Sequence, residues 1–347
     1  MTLDRERFTP SELAVVLSHY DVGVIESAKE FPRGSRRAPK LLLRTQRGRY
    51  LLKRRAAGKD DPFKVAFAHA LVGHLRAREF PVPAMVGTRV DQNSMLQLGG
   101  HVYEVFEYVD GERYDNSLEQ TTHAGLMLAK YHDAVLDFVT DWTPPIGSYH
   151  DASAVRAGLN AIPTTTAGHD SVVGHEAEFL QITQELFERY DEAADRVNHA
   201  GFASWPNTII HGDWHPGNML FQGEHVCAVL DFDAARHQPN VVDLAYGMLQ
   251  FSILRGAAGP DEWPDFGDET RTRRFFAGYA AKDALPAEQR DAIPDLMVEA
   301  LVAETVLPIA VTGSFGRLPG FGVLQMVNRK VHWLLKNSER LRGWLLD

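Results

Sequence analysis

Thr208-Ile209-Ile210-His211-Gly212-Asp213-Trp214-His215-Pro216-Gly217-Asn218-Met219-Leu220-Phe221 puts an acid, Asp213, and an amide, Asn218, on one loop between short apolar runs. A second stretch, Ala228-Val229-Leu230-Asp231-Phe232-Asp233, ends an apolar strand on another acid. Gln222-Gly223-Glu224-His225 reads as the polar turn between the two strands. This spacing suits phosphoryl transfer. A hydroxyl nucleophile needs a positioned carboxylate, and Mg²⁺ prefers oxygen ligands such as a carboxylate and an amide carbonyl beside phosphate oxygens. Asp213 is then the candidate base, and Asn218 and Asp231 are the candidate metal ligands. Two plainer readings compete. His211 and His215 are four apart, as a helical zinc pair would be, but Pro216-Gly217 oppose a helix and no third ligand is evident. Asp231 and Asp233 read alternatively as a solvated turn.

The pattern His-Gly-Asp-x-His-Pro-x-Asn, followed by Leu-Asp-Phe-Asp, resembles the aminoglycoside phosphotransferase / choline kinase / homoserine kinase type II superfamily. The resemblance implies an α+β, protein-kinase-like fold of two lobes. An N-terminal nucleotide-binding lobe with an antiparallel sheet and helix spans 1–106. A hinge follows at 107–111, and a larger, mainly helical catalytic and acceptor-binding lobe at 112–347. It implies ATP and Mg²⁺ as cofactors and a small-molecule hydroxyl as acceptor: an amino alcohol, homoserine, a sugar or an aminoglycoside. Asp213 becomes the catalytic acid–base group and Asn218 and Asp231 the metal ligands, with Asp233 secondary. Asp243 matches an aspartate that braces the catalytic loop and is read as structural support; a simple acid at a helix N-terminus is the plainer alternative.

Composition agrees with that class. The chain has 347 residues, 44% hydrophobic, and a formal net charge of −10. An acidic balance disfavours a nucleic-acid partner and mildly favours a cationic or neutral substrate. The single cysteine, Cys227, excludes an intrachain disulfide, reads as a small core residue and fits a reducing cytoplasm. No apolar run is long enough for a membrane partner, and Met1–Pro10 lacks a signal-peptide core. The pattern assigns no oligomeric state.

Along the chain, Ser11–Tyr20 reads as a short helix capped by Ser11. Strands are expected at 23–29, 40–45 and 50–54. In the family reading, the loop from Phe31 to Pro39 covers the ATP phosphates, with Gly34 and Ser35 offering backbone amides; a basic hairpin tip is the plainer reading. Lys53 on the third strand matches the lysine that contacts the α- and β-phosphates. Strand alternation sends Leu52 and Arg54 to the opposite face. Asp61-Pro62 opens a helix to about Arg78. The family's glutamate partner of the strand lysine falls at Ala68 or His69, yet no acid occurs there. That departure keeps a nucleotide-binding pseudoenzyme open, and the superfamily keeps a protein Ser/Thr kinase open. The short stretch from Asp231 to Asp243 opposes the latter.

Further strands are expected at 82–89, 95–98 and 101–108. At the hinge, the Glu107 carbonyl and the Val109 amide match the adenine contacts. Helices are expected at 121–138 and 176–200, with an irregular segment at 142–170 between them. Asn240 opens a helix, and 256–269 reads as an acidic loop. From Thr270 to Asp347 the pattern is helical. Glu299 and Glu304 fall on a largely apolar stretch, where each meets a substrate amine or lies on an exposed face.

Overall fold

The computed structural model describes residues 5–166, 168–256, 259–281 and 285–345. The first four residues, 167 in the irregular segment, 257–258 in the acidic loop, and 282–284 and 346–347 in the C-terminal helical stretch lie outside the described residues.

The N-terminal lobe comprises α1 (Pro10–Ser18), β1 (Ile25–Glu30), β2 (Lys40–Thr45), β3 (Gly48–Arg54), α2 (Pro62–Ala77), β4 (Leu96–Leu98) and β5 (His101–Glu107). Its sheet runs in the order β1-β2-β3-β5-β4, every neighbouring pair antiparallel. Alternation divides the faces. Leu41, Leu43 and Leu52 pack with Val16 and Tyr20 of the α1 region and with Val105, leaving the other face for the interlobe cleft. The cap of α1 is Thr9, not Ser11: Thr9 and Glu12 form a reciprocal capping box. Asp61 caps α2 through the Phe63 amide. The strand expected at 82–89 does not form. Pro81 and Pro83 remove ladder donors, and the chain follows β5 through only Val86 N to Val105 O and Glu107 N to Ala84 O.

The second lobe is mainly helical. Its first part holds α3 (Leu118–Ala134), α4 (Ser153–Thr166), α5 (Glu176–His199), β6 (Thr208–Ile210), β7 (Met219–Gln222), β8 (His225–Val229), β9 (Arg236–Gln238) and α6 (Asn240–Ser252). The remainder holds α7 (Glu269–Ala280), α8 (Ala287–Asp291), α9 (Ile293–Thr312), β10 (Ser314–Phe315), β11 (Leu318–Pro319), α10 (Gly320–Lys336) and α11 (Ser338–Trp344). Helix α4 occupies the segment expected to be irregular. Its Pro163 and threonines hide a buried stripe of Val155, Leu159, Ile162 and Thr166. Helix α9 is buried nearly all round and packs against α4, α5, α6 and α10. Helices α3 and α7 approach closely through two glycines. A Cβ at Gly125 would lie 2.0 Å from Phe275 O, and one at Gly278 would lie 2.0 Å from Thr122 O.

Two two-stranded sheets carry the central motif. β7 pairs with β8 in the register Gln222↔His225, around Gly223 at φ +57°. β6 pairs with β9, so the chain leaving Asp231 returns at once to the strand that precedes the catalytic loop. Cys227 on β8 is half-buried rather than in the core, with Sγ 3.7 Å from the Asp110 carbonyl.

Candidate active site

The loop from His211 to Asn218 is fixed by buried polar contacts. Asp243, 1% exposed, accepts hydrogen bonds from the His211 amide at 2.6 Å and the Gly212 amide at 2.8 Å. His132 Nε2 lies 3.5 Å from the same carboxylate. Burial alone would raise the Asp243 carboxyl, but His132, His211 and these amides draw it below its ordinary value. Both His211 nitrogens are engaged: Nε2–H donates to Leu230 O at 3.1 Å, and Nδ1 accepts from the Asp213 amide at 3.2 Å. The His211 ring is therefore spent on joining this loop to the chain between β8 and Asp231. Gly212, at φ +75°, permits the bend; a Cβ there would lie 2.4 Å from Ala234 O.

Asp213 is held from three sides. Asn218 Nδ2 donates to its Oδ2 at 2.8 Å and to its backbone O at 3.0 Å. Tyr246 donates to Oδ1 at 3.3 Å, and His215 Nε2 lies 3.6 Å from Oδ2. Burial opposes ionisation, but His215, His211 and Asn218 outweigh it and draw the carboxyl down to about 2. With the Asn218 amide nitrogen committed to Asp213, the side-chain oxygen is the atom left for a cation. Asp231 is exposed, has no side-chain hydrogen bond among the described residues, and sits in the left-handed region at φ +63°. Such backbone strain on a non-glycine residue concentrates at functional sites. An amide carbonyl and a carboxylate form an oxygen donor set that fits Mg²⁺.

Lys53, Asn218 and Asp231 line one cavity of about 560 Å³ between the lobes. Gly34, Glu107 and Val109 also line it; Ser35 does not. The Ser35 hydroxyl instead accepts from the Arg37 amide at 3.2 Å, within its own loop. At the hinge, Glu107 N and Tyr108 N are bonded to Ala84 O and Arg49 O, whereas the Val109 amide has no partner among the described residues.

The missing helix acid is replaced from the sheet. Glu104 on β5 stands directly opposite Lys53 on β3, with Lys53 Nζ 3.5 Å from its Oε2. Arg55 and His69 reach Glu104 Oε1 at 2.8 and 2.7 Å. The histidine at the expected glutamate position thus acts through Glu104 rather than on Lys53. Burial would raise the Glu104 carboxyl, but Lys53, His69 and Arg55 hold it well below the carboxylate range. Arg55 also grips Asp233 through both oxygens, at 2.8 and 2.9 Å, which leaves Asp231 as the uncommitted acid of the pair.

The structure also corrects the reading of α9. Glu299 is 0% exposed and lies 2.9 Å from His150 Nδ1, so it is neither on an exposed face nor turned to a substrate. Glu304, one turn further, hydrogen-bonds Gln250. It is near enough to Asp213 and His215 to act on their charge.

Fold and site together define a phosphotransferase with a kinase-like fold. The sequence profile of the phosphotransferase enzyme family (APH) matches residues 27–285, and the chain belongs to that family. A homoserine kinase from Methylocella silvestris is 26% identical over 318 residues, covering 82% of this chain and 81% of that protein. Among solved structures, a microcompartment-associated aminopropanol kinase superposes with a TM-score of 0.71 at 14% identity, covering 95% of this chain and 98% of that one. An amicoumacin kinase in complex with AMP-PNP, Ca²⁺ and its antibiotic gives 0.65 at 11% identity, with 97% and 94% covered. These two likenesses show the fold. Among the described residues no helix is long and apolar enough to cross a membrane.

Proposed function

We propose that the chain transfers the γ-phosphoryl group of ATP, with Mg²⁺, to a hydroxyl of a small amine-bearing molecule, and that homoserine and short amino alcohols are the first acceptors to try. The observation that carries this reading is the cavity shared by Lys53, Asn218 and Asp231, with Asp213 fixed to Asn218 at 2.8 Å. Asp213 orients the acceptor hydroxyl and takes its proton. Lys53, steadied by Glu104, holds phosphate oxygens. Asn218 Oδ1 and Asp231 would hold Mg²⁺, which neutralises charge on the transferring phosphoryl group. The Glu107 carbonyl and Val109 amide receive the adenine edge, and the amides around Gly34 and Ser35 cover the phosphates. Glu104 removes the main reason for reading the chain as a pseudoenzyme, because Lys53 does have its carboxylate.

The test follows γ-labelled ATP into homoserine, aminopropanol and other hydroxyl compounds. Labelled product appearing only with a divalent cation supports the proposal; ATP binding without transfer to any acceptor returns the pseudoenzyme reading. Asp231→Ala is expected to abolish the Mg²⁺ dependence of ATP binding, read as the thermal shift with and without Mg²⁺. An unchanged Mg²⁺ effect moves the metal elsewhere.

Glu304 supports an amine-bearing acceptor. Burial pushes its carboxyl up, and His215 and the Gln250 hydrogen bond offset that only in part. An ammonium group bound beside it would extend that compensation. Glu304→Gln is expected to raise KM for an amine-bearing acceptor by about tenfold, the scale of one charge-assisted hydrogen bond, with KM for ATP unchanged. Equal KM values for wild type and variant would remove Glu304 from the acceptor site.

A further inference from the structure

The cavity holds a second lysine that the motif does not call for. Lys40, the first residue of β2, stands directly opposite Lys53 in the antiparallel register. Both side chains line the interlobe cavity. Two ammonium groups on directly opposed residues of one sheet face repel one another, and their situations differ. Lys53 has Glu104 at 3.5 Å. The Lys40 side chain has no hydrogen bond or ion pair among the described residues, although the residue is only partly exposed. Burial and the neighbouring Lys53 both lower its pKa, and the more distant Asp231, Glu104 and Asp233 offset them only in part. A half-buried ammonium beside a like charge raises the free energy of the empty protein, and the fold itself gains nothing evident from it.

Its location suggests what it is for. Lys40 Nζ lies directly beneath the apex of the loop from Phe31 to Pro39: a Cβ built on Gly34 would be 2.8 Å from it. That loop has a single glycine, at φ +79°. A single glycine limits how many of its backbone amides can turn toward an anion. Arg33, Gly34, Lys40 and Lys53 line the same cavity as Asn218 and Asp231.

Building on the nucleotide reading above, we propose that Lys40 is a second phosphate-binding lysine, which meets the polyphosphate end of the nucleotide from below the loop and supplies the charge that its glycine-poor backbone does not. The binding of the anion relieves the Lys40–Lys53 repulsion, so the pair stabilises the complex at the expense of the empty protein.

Lys40→Met separates this from a structural role. Binding of ATP and AMP is measured calorimetrically at saturating Mg²⁺, and melting is recorded without nucleotide. The variant is expected to bind ATP at least tenfold more weakly, to bind AMP within about twofold of wild type, and to melt at or above the wild-type temperature when empty. Lys40→Arg is expected to recover most of the ATP affinity. Unchanged ATP affinity in Lys40→Met overturns the proposal. So does an equal loss for ATP and AMP with a lowered melting point, which makes Lys40 a structural residue. A wild-type chain that binds no ATP under any condition overturns the nucleotide reading itself, and Lys40 with it.

Discussion

Asp213→Asn is expected to lower turnover by about 10²–10⁴-fold, the usual contribution of a positioned acid–base group, while ATP affinity stays close to wild type. At about 1.36 kcal/mol per decade this is roughly 3–5 kcal/mol of transition-state stabilisation. Affinity is spared because Asp213 stands beyond the residues that line the nucleotide cavity. Asparagine keeps the shape, and its one side-chain oxygen can still accept from Asn218, which bonds the carboxylate at 2.8 Å and the backbone oxygen at 3.0 Å, while the longer Tyr246 contact at 3.3 Å is given up. The loss then reports charge and basicity rather than a collapsed loop. The comparison is kcat against the ATP-induced thermal shift for both proteins; turnover within a few-fold of wild type takes Asp213 out of the mechanism. The pH profile gives a second check. A carboxyl held at about 2 is ionised throughout the neutral and mildly acid range, so any fall in rate between pH 7 and 5 belongs to another group.

Glu104→Gln is expected to cost about 3–5 kcal/mol of stability, because it strands Lys53 and Arg55 in a buried site with one carboxylate fewer. Glu104 is 1% exposed, and both cations reach it within 3.5 Å. The sign of the pH dependence follows from its depressed carboxyl. The contribution is complete above the unfolded value, about 4.3, and is lost as pH falls through the lower folded value. The stability gap between wild type and variant, measured by urea unfolding, is therefore expected to be wide at pH 7 and to narrow progressively as pH falls below about 4. A gap of the same size at pH 3 and pH 7 would mean that packing, not charge, is what the substitution removed. A rise in KM for ATP is expected alongside, since Lys53 loses its steadying partner.

The residues that the sequence revealed are those whose relation is local. Asp213 and Asn218 are five apart on one loop, and Asp231 ends the next strand. Spacing along the chain is then almost spacing in space. Glu104 escaped because its partner lies across a strand pair, and register between β3 and β5 is not written in either segment alone. The available signal was an acid in the interior of an otherwise apolar strand. Arg55 and Tyr246 were within reach of simple periodicity: Arg55 lies two residues beyond Lys53, just past the end of β3, and Tyr246 three beyond Asp243 on a helix. The misplaced strand at 82–89 gave too much weight to apolar alternation and too little to Pro81 and Pro83. Helix α4 shows the opposite error, with Pro163 overriding a real apolar stripe. Glu299 was misjudged because its partner, His150, is 149 residues away.

The pairing of β6 with β9 has a bearing on regulation. Many enzymes built on this scaffold are governed by a long segment after the metal-binding acid, which is ordered or released by phosphorylation. Here that interval is consumed: Phe232–Ala234 form a tight turn, Arg236–Gln238 pair with Thr208–Ile210, and Asn240 begins α6. No slack chain remains between Asp231 and Asp243 to swing between two positions. The ends of this interval are therefore tied to the loop they serve, and the two acids move as one unit with β6 and α6.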